Sequence, residues 1–219
     1  MSAAPTCPRC RGELVAPGLM QSAWTCGEHG PVAPLHAARP GTSEQLAHLA
    51  AKSMVPVWLP WPLPPGWLTT GFRYAGDERT GPVASVVALS GPNPLPGQGP
   101  SHQPTADLLL VAEQPAVGLG ASLAGLPEVD AGDSLSGALV AGGPQAKVHA
   151  AGHPAHLWNV PVGDDRAAYV GEALGVWLWL IMWPPSAGAM VLEGLRLVDA
   201  RDPGHPLDIP TGAPSPRLD

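Results

Sequence analysis

Four residues with soft donor atoms crowd the start of this chain: Cys7 and Cys10 in CPRC, then Cys26 and His29 in CGEH. All three cysteines of the 219 residues fall here. Two donors separated by two residues fit on one tight turn and can chelate a single ion. Two such turns facing each other complete a tetrahedral Cys3His set, which suits zinc. Pro8 and Gly27 lie inside the turns and fit their geometry. Between them, GELVAPGLMQSAWTC reads as two short strands around a turn at Pro17 and Gly18. The order knuckle, hairpin, knuckle is that of a zinc ribbon. A closed four-donor set leaves no position for water or substrate, so the zinc expected here is structural. A redox dithiol at Cys7 and Cys10 is the rival reading. It lacks the strand-before, helix-after context of such motifs and leaves Cys26 unexplained. His36 is an alternative fourth donor, but it lies off the knuckle spacing.

A second constellation could do acid–base or metal chemistry. AKVHAAGHPAHLWNV, residues 146–160, reads as a hairpin with Gly152 and His153 in its turn. That register sets His149 opposite His156, with Asp164 and Asp165 following. An enzyme, such as a hydrolase, built on His149, His156 and Asp164 is the alternative functional reading. No GxSxG, HExxH or GK[ST] motif supports a named activity. Residues 117–127 hold Gly118, Gly120 and Gly125, but not in a phosphate-cradling pattern; close packing or turns account for them better.

The elements that must position these groups are mostly strands. Residues 41–54 form the best helix, with Thr42 or Ser43 as cap and Leu46, Leu49 and Ala50 along one face. The prolines at 56, 60, 62, 64 and 65 then impose an extended strap carrying Trp58, Trp61 and Trp67, expected to pack onto a sheet. Residues 82–91 and 106–114 read as strands around a loop at 93–105. The apolar run at 173–183 puts Trp177, Trp179, Ile181 and Trp183 on one side and Val176, Leu178, Leu180 and Met182 on the other. Both sides are apolar, so a central strand covered on both faces is expected. Residues 189–199 are expected to return as its antiparallel partner, and 204–219 to form a strap or tail.

Composition excludes several classes. The net charge is −7, with only 11 Lys plus Arg and no cluster of them, so a nucleic-acid partner is disfavoured. Gly (27) and Pro (29) imply many turns and few long helices. The longest apolar run, 173–183, is too short to span a bilayer as a helix, and MSAAPTCPRCRGE lacks the apolar core of a signal peptide, so none is expected there. A soluble, cytoplasmic protein is therefore expected. An odd cysteine count there argues against a disulfide framework.

The segments TCPRC, APGL, PVWLPWPLPPGW, LVAEQPAVGLGA, QAKVHAAGHP, GEALGVWLWLIMWP and GAPSPRL together resemble an uncharacterised family of roughly two-hundred-residue proteins from high-GC actinobacteria, a domain of unknown function. The likeness spans essentially the whole chain. It implies shared architecture and a cytoplasmic setting, and it transfers only Cys7, Cys10, Cys26 and His29. More loosely, the second part is similar to small α+β sheet modules of secreted lipoproteins, an analogy of fold alone.

The expected architecture is α+β: a zinc-ribbon-like segment at 1–38, a helix and linker at 39–55, and a mainly antiparallel sheet domain with few helices at 56–219. The function expected is a non-enzymatic, zinc-stabilised binding or regulatory module whose partner is a protein or a small ligand.

Overall fold

The computed structural model describes residues 4–218 except 20, 96–102, 128, 129, 131, 133–135, 137–141, 193 and 205–207. Strands dominate it. Two antiparallel meanders make one nine-stranded sheet. The first comprises β5 (Leu68–Asp77), β6 (Gly81–Pro92) and β7 (Thr105–Glu113); the second runs through β8 (Ala146–Ala150), β9 (His153–Val160), β10 (Ala167–Ala173) and β11 (Val176–Trp183). Pairing of β7 with β11 joins them. Two short strands, β12 (Arg196–Asp199) and β4 (Trp58–Pro60), complete the far side in the order β4-β12-β8-β9-β10-β11-β7-β6-β5. A separate three-stranded sheet, β1 (Leu14–Val15), β2 (Thr25–Cys26) and β3 (Gly30–Pro31), carries the amino-terminal knuckles.

The sheet buries both faces, as the doubly apolar β11 requires. Leu178, Leu180 and Met182 join one core cluster with Leu46, Leu49, Trp58, Phe72 and Leu157. Trp179, Ile181 and Trp183 join the other, with Leu35, Leu119 and Leu218. Helix α1 (Ser43–Lys52) covers the first face through Leu46, Leu49 and Ala50, and the Thr42 side chain caps it by accepting from Gln45 N at 3.3 Å. Helix α2 (Leu119–Ala124) belongs to the second face. No helix among the described residues is long and apolar enough to cross a membrane.

The exposed edge of β5 is closed from both ends of the chain. Backbone bonds from Gly76 N to Pro34 O, His36 N to Tyr74 O, and both ways between Arg39 and Phe72 fasten the segment leaving the small sheet. Thr69 and Thr70 bond Pro210, Gly212 and Ser215 from the tail. The edge therefore offers little unpaired backbone to another chain.

Two expectations change. Residues 189–199 do not return along β11. Ala189–Leu192 form a short helix, α3, and Arg196–Asp199 pairs antiparallel with β4 and parallel with β8. The apolar pattern of this stretch fits either a helix or a strand over so few residues, and its partners lie far away in sequence. The β8–β9 turn sits one residue earlier than expected: Ala151 (φ 49°) and Gly152 (φ 82°) are both left-handed, the requirement of a two-residue type I′ turn. His149 consequently opposes Pro154, and His156 opposes Lys147. Pro154 does no harm there. The His149 N–H points the other way, to Leu195 O of the neighbouring chain segment.

The β10–β11 turn uses the same geometry at Leu174 (φ 55°) and Gly175 (φ 78°). Leu174 is half exposed and gains no packing that offsets its left-handed backbone. Leu174→Asn, which creates the favoured Asn-Gly pair, should stabilise the fold by about 0.5–1 kcal/mol in denaturant titration.

Candidate metal centre

Each knuckle is built by its own backbone. In the first, Cys7 N donates to Gly12 O at 2.9 Å and Arg11 N to Cys7 O at 3.0 Å. Arg11 takes φ 62° to close this turn. Thr6 exchanges two backbone bonds with Leu35, which is buried against the large sheet. In the second, Cys26 pairs with Leu14 on one side and Gly30 on the other, so residues 27–29 are the turn of a hairpin. Gly30, at φ 67°, makes the tight return possible.

These two turns face each other. Cys7 Sγ lies 3.7 Å from His29 Nδ1, Cys26 Sγ 3.6 Å from the same nitrogen, and Cys10 Sγ 3.7 Å from Cys26 Sγ. All four donor atoms lie within 4.8 Å of one another. Bonds of about 2.3 Å to sulfur and about 2.0 Å to nitrogen at tetrahedral angles would separate sulfurs by about 3.8 Å and sulfur from nitrogen by about 3.5 Å. The observed spacings match that cage. They are far too long for a disulfide, and all three cysteines are free. Among the described residues this is the one group of three or more Cys, His, Asp or Glu side chains arranged to hold a metal ion.

The surroundings of Cys10 and Cys26 act in opposite directions on their thiols. Backbone N–H groups of Glu28 and His29, then the His29 ring, pull the Cys26 thiol down to about 6. The Gly12 N–H pulls Cys10 the same way, but desolvation and the neighbouring Cys26 and Cys7 thiols win and raise it to about 11. A divalent ion between the sulfurs would favour the thiolate form of its ligands.

Arg11 adds an independent sign. Its Nη1 is buried without a hydrogen-bond partner. Desolvation and the adjacent Arg73 guanidinium lower it to about 10, and Cys7 opposes that shift. A buried cation beside another cation is costly unless an anion stands near. Three thiolates around one divalent ion carry a net charge of −1, and Cys7 brings that charge to Arg11. The residues present therefore fit a metal with three thiolate ligands.

The knuckle is also fastened to the large sheet. Arg9, between the first two sulfurs, donates from Nε to Val117 O at 3.2 Å and from Nη2 to Ala116 O. These carbonyls lie just ahead of α2. At the start of that helix the Glu113 carboxylate, 1% exposed, accepts from Leu119 N at 2.7 Å, Gly120 N at 3.2 Å and Trp179 Nε1 at 2.8 Å. Gly120 must be glycine for this contact, because a Cβ there would sit 2.2 Å from the Trp179 ring. The glycines at 118, 120 and 125 thus serve a turn, a close approach and a helix end.

Other candidates fall elsewhere. His36 is not in the group; its Nε2 bonds Gly76 O at 2.9 Å and its ring stacks on Tyr74 at 4.6 Å. His149, His156, Asp164 and Asp165 are exposed, and Asp165 is paired with Arg166 at 2.7 Å. Among the described residues they are not in a group of three or more side chains arranged to hold a metal ion. Sequence reasoning missed Arg9, Arg11 and Glu113. The two arginines flanking Cys10 in PRCRG were a usable signal, since cations next to a thiolate set need a reason.

A family model matches residues 1–218. The chain belongs to DUF6758, a family of unknown function. No curated protein and no solved structure matches it. Membership in DUF6758 thus accords with the resemblance to an uncharacterised family over the whole chain and supplies no activity.

Proposed function

We propose that residues 1–38 are a zinc-ribbon-like head in which Cys7, Cys10, Cys26 and His29 hold one structural zinc ion, and that the chain is a non-enzymatic, zinc-stabilised binding or regulatory module of the cytoplasm. The spacing of the four donor atoms carries this reading. Zinc here supplies cross-linking rather than reactivity, because four protein donors close its coordination. The chain's own residues do the rest. Backbone amides of the second knuckle favour the Cys26 thiolate, Arg11 balances the charge, and Arg9 orients the first knuckle against the sheet. Three reduced thiols suit a reducing compartment. The large sheet domain, residues 56–219, would present the partner surface, and its acidic balance favours a protein or small ligand over nucleic acid.

Elemental analysis of protein purified without added metal should find about one zinc per chain, as a single four-donor site requires. Folded protein free of zinc would refute the reading. Arg11→Gln should keep the stoichiometry yet weaken zinc binding about tenfold or more in chelator competition, as loss of an outer partner does.

A further inference from the structure

A cleft opens between α1 and β5, lined by Arg39, Glu44, Gln45, His48, Leu49, Phe72 and Tyr74, with a volume of about 430 Å³. That size falls in the range of small-ligand sites, roughly 300–1,000 Å³. It shares no residue with the cysteine knuckles, so its chemistry does not depend on the metal.

The walls are fixed in place. Leu49 and Phe72 are buried and form an apolar floor. Tyr74 stands beside them, its ring stacked on His36 at 4.6 Å, and His36 is itself held by Gly76 O. Arg39 is set by two backbone bonds to Phe72, at 2.7 and 2.9 Å. Glu44 and Gln45 both reach the cleft beside His48, which lies four and three residues on and so shares a side of the helix with each of them.

The polar side chains around this floor are uncommitted. Among the described residues, the Arg39 guanidinium, the Glu44 carboxylate, the Gln45 amide, the His48 ring and the Tyr74 hydroxyl have no hydrogen-bond or ion-pair partner in the protein. Arg39 and Glu44 carry opposite charges into one cleft without pairing with each other. A simple anion would gain Arg39 but meet Glu44. A simple cation would meet the reverse. An apolar ligand would strand both charges. A molecule bearing one carboxylate, one ammonium and an apolar side chain satisfies the guanidinium fork, the carboxylate and the floor together.

We propose that this cleft binds a small zwitterion of free amino-acid size with an apolar side chain. Calorimetric titration of the metal-loaded full chain with the free L-amino acids tests it. At least one apolar amino acid should bind with a Kd of about 1 mM or tighter. Its carboxamide, which lacks the carboxylate, and its N-acetyl derivative, which lacks the ammonium, should each bind at least about tenfold more weakly. Arg39→Ala and Glu44→Gln should each weaken binding of the parent amino acid by a similar factor, while His156→Ala, on the β8–β9 hairpin, should not. Arg39 and Glu44 are exposed, so both variants should melt as the parent does. The proposal is overturned if no amino acid binds, if either derivative binds as well as the parent, if the two variants bind undiminished, or if glucose or inorganic phosphate binds in place of the amino acids.

Discussion

Stripping zinc with a chelator under reducing conditions should unfold the amino-terminal head and leave the nine-stranded sheet folded. The head has little core of its own. Its three strands are two residues each, and Val15 (64%) and Leu19 (106%) face water. Of its apolar side chains among the described residues, Cys7, Cys26 and Leu35 are buried; the two cysteines are proposed ligands, and Leu35 packs on the large sheet. A core so small cannot offset the entropy of ordering some thirty residues without a cross-link. Structural zinc in comparable small sites provides about 10–16 kcal/mol of apparent binding energy, which is folding energy where no apo fold exists. Hydrogen exchange should therefore show the amides of Cys7, Leu14 and Cys26 losing protection after chelation, while those of β6, β7 and β11 keep theirs. Cys26→Ser should reproduce the effect without chelator. Retained protection in the metal-free head would show that packing alone suffices and would remove the case for a structural ion.

The second large effect is expected at Glu113. Replacing it by Ala leaves the N–H groups of Leu119, Gly120 and Trp179 buried with no acceptor. Each such loss costs about 1–3 kcal/mol, so Glu113→Ala should destabilise the chain by about 3–5 kcal/mol after partial relaxation. Glu113→Gln keeps the shape and tests the charge. Burial pushes the Glu113 carboxyl from its ordinary 4.5 up to about 7, against the pull of the Gly120, Leu119 and Trp179 donors and with the help of nearby Asp130. Between those two values the folded chain holds a proton that the unfolded chain has released. Stability from this group is therefore fullest below about 4.5 and falls as pH rises towards about 7. Comparing metal-loaded wild type with metal-loaded Glu113→Gln cancels the opposite pH trend of the thiolate ligands. The difference in melting temperature should favour the wild type more at pH 5.5 than at pH 8. An unchanged difference across that window would mean the carboxylate is ionised throughout.

That Cys7, Cys10, Cys26 and His29 come together was legible in the sequence because a two-residue spacing puts each pair on one turn, a local property. So were the cap at Thr42 and the two-faced burial of β11, where alternation along the chain maps directly onto opposite sides of a sheet. The β8–β9 register was missed by one turn residue. Ala151 adopts a left-handed backbone that a residue with a Cβ seldom takes, and nothing nearby announces it. β12 was missed for a different reason. A four-residue strand that pairs in parallel with β8 owes its place to distant partners. The same holds for Arg9, whose acceptors lie more than a hundred positions away, and for Glu113 with Trp179. Their types could be read; the company they keep could not.

The grip of Arg9 on Ala116 and Val117 has a bearing on how the head should be studied. Because the guanidinium is borne by the same four-residue loop that supplies two of the sulfurs, its docking and the binding of the proposed ion would be linked reciprocally. Whatever seats the arginine tightens the cage, and whatever tightens the cage seats the arginine. A synthetic peptide ending at residue 38 lacks those carbonyls and the β5 edge that bonds Pro34 and His36, and would hold the proposed ion more weakly than the intact chain. Affinities taken from such a fragment would describe the fragment.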